Sequence, residues 1–307
     1  MNNNFLCTIF TLTYNRAYLL MRLYNSLREQ KCKNFEWLIV DDGSTDNTEE
    51  VIKNFQEKSD NGFDIVYIKT KNGGKHRAIN KGLDYAQGEV FAIVDSDDFL
   101  TADAVEKINI YFEEISNKNV KKKMAGIAMQ KGYNNDRAVG NTFKGQKIDA
   151  KTTERRKYHI EGDKFEIFYT EVLKNNMFPE IENEKFMTEA IVWTRIARAG
   201  YYLRWYNDIV YICEYQPNGL TDNREKLIKN SPKGYALYIK EQVEFGNISI
   251  KQKLGYYSFY YNVMKEEKNI REIANELNTN ALIIKVSIIL RRILRRNKVA
   301  NEKKWKI

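Results

Sequence analysis

The chain has little of what metal clusters, disulfide scaffolds and histidine-based nucleophilic sites are built from. It carries only three cysteines, Cys7, Cys32 and Cys213, far apart and without C-x-x-C or zinc-ligand spacing. That argues against a disulfide framework and for a reducing compartment. Its two histidines, His76 and His159, have no clustered partners, so a Ser-His-Asp triad and a His-rich metal site lose most of their support. Three prolines leave little room for rigid linkers. No apolar run is long enough to span a bilayer. The opening MNNNFLCTIF has no charged leader, long apolar region or small-residue cleavage site, and a cytoplasmic location is the expectation. A Walker A loop and a G-x-G-x-x-G after the first strand are also missing, which disfavours ATP-driven phosphoryl transfer and Rossmann-type dinucleotide binding.

What is present suits a packed enzyme core: hydrophobic residues make up 43% of the chain and aromatics 13%. The net charge of +9 is unevenly spread. Residues 281–307 hold nine Lys/Arg against Glu302 alone, so the tail carries +8 and residues 1–280 about +1. A near-neutral body argues against nucleic acid as a partner.

The first hundred residues alternate buried-strand runs with helical patterns. FLCTIFTL (5–12), FEWLIVDD (35–42), DIVYIKT (64–70) and EVFAIVD (89–95) read as strands. Helices are expected over 17–30, after Ser44 or Thr45 as the cap, and over 75–86. Such alternation with continuous apolar strands implies an α/β fold, a mostly parallel sheet covered by helices on both faces. A helix is expected over 102–115, a strand near 123–132, and loop or an acceptor-side insertion over 133–164. Beyond these come a helix over 185–200 ended by Gly200, one or two strands over 201–216, and helices from 225 on.

Ligands of parallel sheets bind beyond the carboxyl ends of the strands. The residues there are TYNR (13–16), DDGSTD (41–46), KNGGKHR (71–77) and DSDD (95–98). Three aspartates at one strand end suit a hard cation, since Mg²⁺ and Mn²⁺ take oxygen ligands and combine one or two carboxylates with substrate phosphates. A solvated Asp cluster capping the next helix is the plain alternative. In DDGSTD, Gly43 makes a turn that presents Asp42, and the adjacent glycines and basic side chains of NGGKHRA would let the chain approach a nucleotide or diphosphate.

The set TLTYNR, VDDGSTDNT, NGGKHRAINKGL and GEVFAIVDSDD, in this order and spacing, resembles glycosyltransferase family two: inverting enzymes of the GT-A fold with nucleotide-sugar donors. The resemblance covers about residues 5–100 and returns over about 180–222. It implies a catalytic domain over 1–224, with a nucleotide-sugar half (1–100) and an acceptor half (101–224), and a helical region over 225–307. By the same resemblance Thr13, Tyr14 and Asn15 form the first nucleotide-contacting loop. Asp42 is the uracil-binding carboxylate, and Lys75 or Arg77 the basic contact to base or phosphate. Asp95 and Asp97 meet sugar, ribose and metal, and Asp97 or Asp98 holds Mn²⁺ or Mg²⁺. The base for the acceptor hydroxyl falls on Glu189, at the start of a helix, with Glu184 as runner-up. A helix-dipole acid is the structural alternative for Glu189. EYQPNGLT (214–221), with Tyr215, resembles a segment closing over diphosphate or acceptor, and a surface turn at Pro217-Asn218-Gly219 fits it equally.

The implied reaction is metal-dependent transfer from a nucleotide-sugar, a UDP-sugar by the same resemblance, to a glycan or lipid-linked acceptor in surface-polysaccharide synthesis. Tyr201 replaces the Gln of the processive Q-x-x-R-W pattern before Arg204-Trp205, so single addition is expected. The alternatives are a sugar-nucleotide nucleotidyltransferase, for which a G-x-G-x-R loop is missing, and a non-catalytic nucleotide- or glycan-binding module associated with the membrane. The tail ALIIKVSIILRRILRRNKVANEKKWKI resembles a helix lying on an anionic membrane surface and would make the protein peripheral on the inner face of the cell membrane. A terminal helix packed on the body is the other reading.

Overall fold

The computed structural model describes residues 6–58, 60–214, 224–246 and 248–304, the last eleven of these by backbone alone. The chain forms two compact units, Met1–Glu180 with Arg195–Gly219, and Ile181–Thr194 with Leu220–Ile307.

The first unit begins with the expected alternation: β1 (Cys7–Thr13), α1 (Ala17–Arg28), β2 (Phe35–Asp41), α2 (Thr48–Gln56), β3 (Asp64–Lys69), α3 (Lys75–Tyr85) and β4 (Val90–Ile93). It continues through β5 (Phe99–Leu100), α4 (Ala104–Ser116), β6 (Met124–Gly132), β7 (Lys147–Ala150), a 3-10 turn over Thr152–Tyr158, β8 (Lys164–Tyr169) and α5 (Thr170–Lys174). After α6 (Ala190–Arg198), which starts in the second unit, β9 (Tyr202–Ile212) closes it. The strand order is β3-β2-β1-β4-β8-β6-β9-β5, with β7 on β9.

β1 to β4 pair in parallel, Thr13 opposite Asp41 and Asp41 opposite Lys69. This register brings their carboxyl ends to one edge and gathers the four polar loops there. β2 is buried along its whole length, which is why FEWLIVD reads as an unbroken apolar run. β3 is exposed or half-buried throughout, as an edge strand must be. Beyond β4 the sheet is mixed: β8 is antiparallel to β4 and β6, and β6 is parallel to β9. On one face, Tyr24 of α1 stacks on Phe55 of α2 at 4.1 Å over Trp37. On the other, Gly82 of α3 lies so close to Phe10 that a Cβ would stand 2.4 Å from its ring.

The second unit holds α7 (Arg224–Asn230), α8 (Pro232–Phe245), α9 (Ile250–Met264), α10 (Ile270–Glu276) and α11 (Ala281–Lys304) around Tyr235, Ile239, Tyr257 and Tyr260. Ile284 of α11 is buried in this core and Ile288 packs against it. Among the described residues no single helix is long and apolar enough to cross a membrane.

Three expectations need correction. Neither Ser44 nor Thr45 caps α2: the helix starts at Thr48, whose N–H and hydroxyl donate to Asp46 at 3.1 and 2.5 Å. The helix expected over 185–200 starts only at Ala190; ahead of it Phe186 and Glu184 are bound to Ser231, Lys233 and Gly234 at the start of α8. The stretch 133–164 is not all loop; β7 pairs with β9, and buried Lys164 donates to the carbonyls of Val139 and Glu161 at 2.8 and 2.6 Å. Residues 215–221 of the EYQPNGLT segment, Tyr215 included, lie outside the described residues.

Candidate active site

The loop after β1 is fastened to the loop after β2. Asn15 sits at φ 51°, a left-handed conformation that Asn tolerates better than most residues. Its backbone N–H donates to Ser44 Oγ at 2.9 Å, and its Oδ1 accepts from the backbone N–H groups of Thr45 and Asp46 at 2.8 and 3.3 Å. Tyr14 projects from this loop with 46% of its surface exposed. Thr13 behind it is buried, and its Oγ1 has no partner.

Asp41 and Asp42 divide their work. Asp41 is buried and accepts from Ser44 N–H at 2.7 Å and from the Tyr67 hydroxyl at 2.7 Å. Asp42 takes the NGG loop: Gly73 N–H at 2.7 Å, Gly74 N–H at 2.8 Å and Asn72 Nδ2 at 3.1 Å. Gly43 is required between them and the loop, since it has φ +86° and a Cβ would lie 2.9 Å from Asn72 N. The carboxylate expected to read a base is therefore also the clasp of the glycine loop.

The DSDD acids are each met by protein groups. Lys75 Nζ lies 2.6 Å from Asp95 Oδ1, and Lys131 Nζ 3.9 Å from Asp95 Oδ2. Burial alone would raise the Asp95 pKa, but these two cations hold it well below the usual carboxylate range. Arg16 pairs with Asp97 Oδ2 at 3.0 Å. Arg22 donates to the Asp97 carbonyl at 2.7 Å, lies over the Phe99 ring and pairs with Glu214. Asp98 is buried and accepts from Tyr211 OH at 2.7 Å and from Glu214 N–H at 3.0 Å. Burial and the Asp95 charge push its pKa up to about 6. Of the two expected basic contacts, Lys75 reaches the acids. Arg77 donates to the Gly73 carbonyl at 2.8 Å and pairs with Glu180 at 3.3 Å.

Residues 8–175, more than half of the chain, match the family model "Glycosyl transferase family 2". The chain belongs to glycosyltransferase family 2. The relative "GalNAc(5)-diNAcBac-PP-undecaprenol beta-1,3-glucosyltransferase" of Campylobacter jejuni is 27% identical to this glycosyltransferase over 190 residues, which are 60% of this chain and 57% of that one. Its structure is similar to that of Staphylococcus aureus TarS 1-349 in complex with UDP-GlcNAc (TM-score 0.59, 19% identity, 85% of this chain and 73% of that one). It is also similar to the mannosyltransferase PcManGT from Pyrobaculum calidifontis in complex with GDP-Man and Mn²⁺ (TM-score 0.56, 16% identity, 97% and 79%). At these identities the two structures establish the fold, which is GT-A as the motifs imply. The aligned stretches span 40%, 24% and 57% of the length of the first three curated relatives.

Among the described residues, no three His, Cys, Asp or Glu side chains converge as a ready metal site. The donor set nevertheless fits a hard cation completed by its substrate, because Mg²⁺ and Mn²⁺ are commonly held by one or two carboxylates plus phosphates. Asp97 offers all-oxygen ligation at the loop tip, with Asp98 beside it.

The two acids weighed as base lie in the second unit. Glu189 directly precedes α6 and is half-buried, its carbonyl accepting from Val192 and Trp193 N–H at 3.0 and 3.2 Å. Glu184 is buried and caps α8, accepting from Lys233 N–H at 2.9 Å and Gly234 N–H at 2.7 Å.

Four residues of the rim were not singled out by sequence: Arg16, Arg22, Lys131 and Tyr211. Arg16 stands inside the quoted TYNR. Lys131 had a signal of its own, a lysine inside the apolar run MAGIAMQKG. Arg22 and Tyr211 had none, because their partners are 75 to 192 residues away.

His76, beside Lys75 on α3, yields a pH prediction. It is 2% exposed and its Nδ1 has no partner. Burial and then Arg77 lower its pKa to about 4. Between pH 6.5 and 4 the unfolded chain therefore binds a proton that the native chain refuses, and stability falls as pH falls through this window, by about 3 kcal/mol. Thermal melts from pH 7 to 4 should drop more steeply for wild type than for His76→Leu. Parallel profiles would refute it.

Proposed function

We propose that the protein transfers a sugar from a nucleotide-sugar, a UDP-sugar by preference, to a hydroxyl of a glycan or lipid-linked acceptor in surface-polysaccharide synthesis, with inversion at the anomeric carbon. The observation that carries this is the rim itself: three strand-end loops cross-linked by Asn15 and Asp42, and the fourth, DSDD, tied to them through Arg16 and Lys75. TarS in complex with UDP-GlcNAc and PcManGT in complex with GDP-Man support a nucleotide-sugar donor, and the Campylobacter relative's name supports a lipid-linked acceptor.

In this reading Thr13, Tyr14, Asn15 and Asp42 receive the nucleoside. Lys75 meets the diphosphate, Arg77 steadies the glycine loop, and Asp95 orients ribose or sugar. Asp97, with Asp98 beside it, would hold Mn²⁺ or Mg²⁺, which when bound neutralises charge on the leaving diphosphate. Glu189 takes the proton of the acceptor hydroxyl. The acceptor oxygen attacks C1 opposite the bond to the diphosphate, that bond breaks, and UDP leaves with its electron pair. A panel of UDP- and GDP-sugars, assayed for nucleotide release with Mn²⁺ and with EDTA, tests the reading. One UDP-sugar consumed only with metal is expected. No nucleotide release from any donor would overturn it.

We also place the protein at a membrane surface through α11. While Ile284 and Ser287 of this helix are buried, Leu282, Val286, Ile289, Leu290 and Ile293 are 41–65% exposed at helical spacing. Lys285 and Arg292 flank this stripe and the basic residues of the tail follow it, a match for apolar insertion beside anionic headgroups. Full-length protein should co-sediment with phosphatidylglycerol vesicles, and Leu282→Ser/Ile289→Ser/Leu290→Ser should remain in the supernatant. Equal binding by both would remove the anchor.

A further inference from the structure

Asp95 carries two cations from different parts of the sheet, and they differ in freedom. Lys75 Nζ, on the first turn of α3, touches Asp95 Oδ1 at 2.6 Å, and its side chain is 23% exposed. Lys131, next to last in β6, is 11% exposed at its side chain, with Nζ 3.9 Å from Asp95 Oδ2, 3.9 Å from Asp163 and 4.3 Å over the Tyr211 ring. The ring is itself fixed: Tyr211 OH accepts from Asp95 N–H at 3.0 Å and donates to Asp98 at 2.7 Å. Lys131 is thus walled in by β9 and the DSDD loop, whereas Lys75 stands at the rim.

A carboxylate only partly open to water, as Asp95 is with its side chain 33% exposed, gives up a lone counter-ion with difficulty, because the charge left behind is uncompensated. With a second, immovable counter-ion the first can leave. Resting on the donor-site reading above, we propose that Lys131 is a positioning residue, a fixed counter-ion that keeps Asp95 in place and frees Lys75 to exchange Asp95 for the diphosphate of the incoming donor. Lys131 touches neither donor nor reacting atoms. It acts through Asp95 and sets how tightly Lys75 is held.

The test is a double-mutant cycle on the full-length protein, read as UDP affinity by calorimetry at saturating Mn²⁺ and as donor KM and kcat. Lys131→Met should weaken UDP binding by about tenfold, the size of one lost charge-pair coupling, and raise donor KM more than it lowers kcat. Lys131→Arg keeps the charge and should restore binding to within about threefold. In a Lys75→Met background the same Lys131→Met change should cost far less, since no lysine remains to be released. Lys131→Gln, which keeps a donor but no charge, repeats the test if the Met variant fails to fold and should behave like it. Equal losses in both backgrounds, or unchanged UDP affinity in Lys131→Met, would overturn the proposal. Wild-type protein that binds no UDP would instead overturn the donor-site reading.

Discussion

Glu189→Gln is expected to lower kcat by about two to four decades, the usual weight of a general base, while leaving UDP affinity near that of wild type. The substitution keeps the shape of the side chain but replaces the carboxylate with a neutral amide, which can neither accept a proton nor carry the charge. Glu189 directly precedes α6, where a carboxylate is also stabilised by the helix dipole. A purely structural acid there would give a different result, a lower melting temperature with turnover per folded molecule unchanged. Glu184 provides the contrast. Its carboxylate caps α8 through two backbone N–H groups, so Glu184→Gln should lose stability of about 1 kcal/mol before it loses rate. Single-turnover kinetics with the true acceptor, beside thermal melts, separates the two.

Asp97→Asn is expected to cost about as much, by another route. It removes the charge opposite Arg16 and the carboxylate best placed for a cation at the loop tip. Neutralising a leaving diphosphate is worth several kcal/mol. The variant should therefore lose about two to three decades in kcat/KM, and the UDP affinity it keeps should no longer respond to Mn²⁺. An Asp97→Asn protein whose UDP binding still rises with Mn²⁺ would show that the ion is held elsewhere in the cluster. Asp98 is the less available acid because Tyr211 and Glu214 already occupy both of its oxygens.

The first hundred residues of the fold were largely legible because their signals are local. An apolar run such as FEWLIVD can only be buried, and each run ends in residues that refuse burial. The parallel register then carries the four loops to one edge without further information. The second half was harder to read. β8 pairs antiparallel with β4 and inserts between β4 and β6, a choice made by long-range pairing rather than by the composition of KFEIFY. The helix expected at 185 starts at 190; ahead of it Glu184 and Phe186 are bound to the start of α8, which no periodicity announces.

At the site, sequence reading named the acids and left out most of their cations. Asp95, Asp97 and Asp98 stand together in the chain and are seen at once. Arg16, Lys75 and Lys131 converge on them from the loop after β1, from α3 and from β6, and only Lys75 lay in a stretch read as basic. Asp42 shows a finer limit. Its position was legible, but its three hydrogen bonds to the NGG loop were not, and they make one residue both a clasp and a candidate base reader.

Whether this rim is a nucleotide-sugar donor site completed by a divalent cation is decided by titrating UDP into the wild-type protein with Mn²⁺ and again with EDTA. Saturable one-site binding with Mn²⁺ is expected, weakening at least tenfold in EDTA as the several kcal/mol of metal–diphosphate interaction are lost. Absence of UDP binding in either condition, at protein concentrations where the chain is folded, would contradict it.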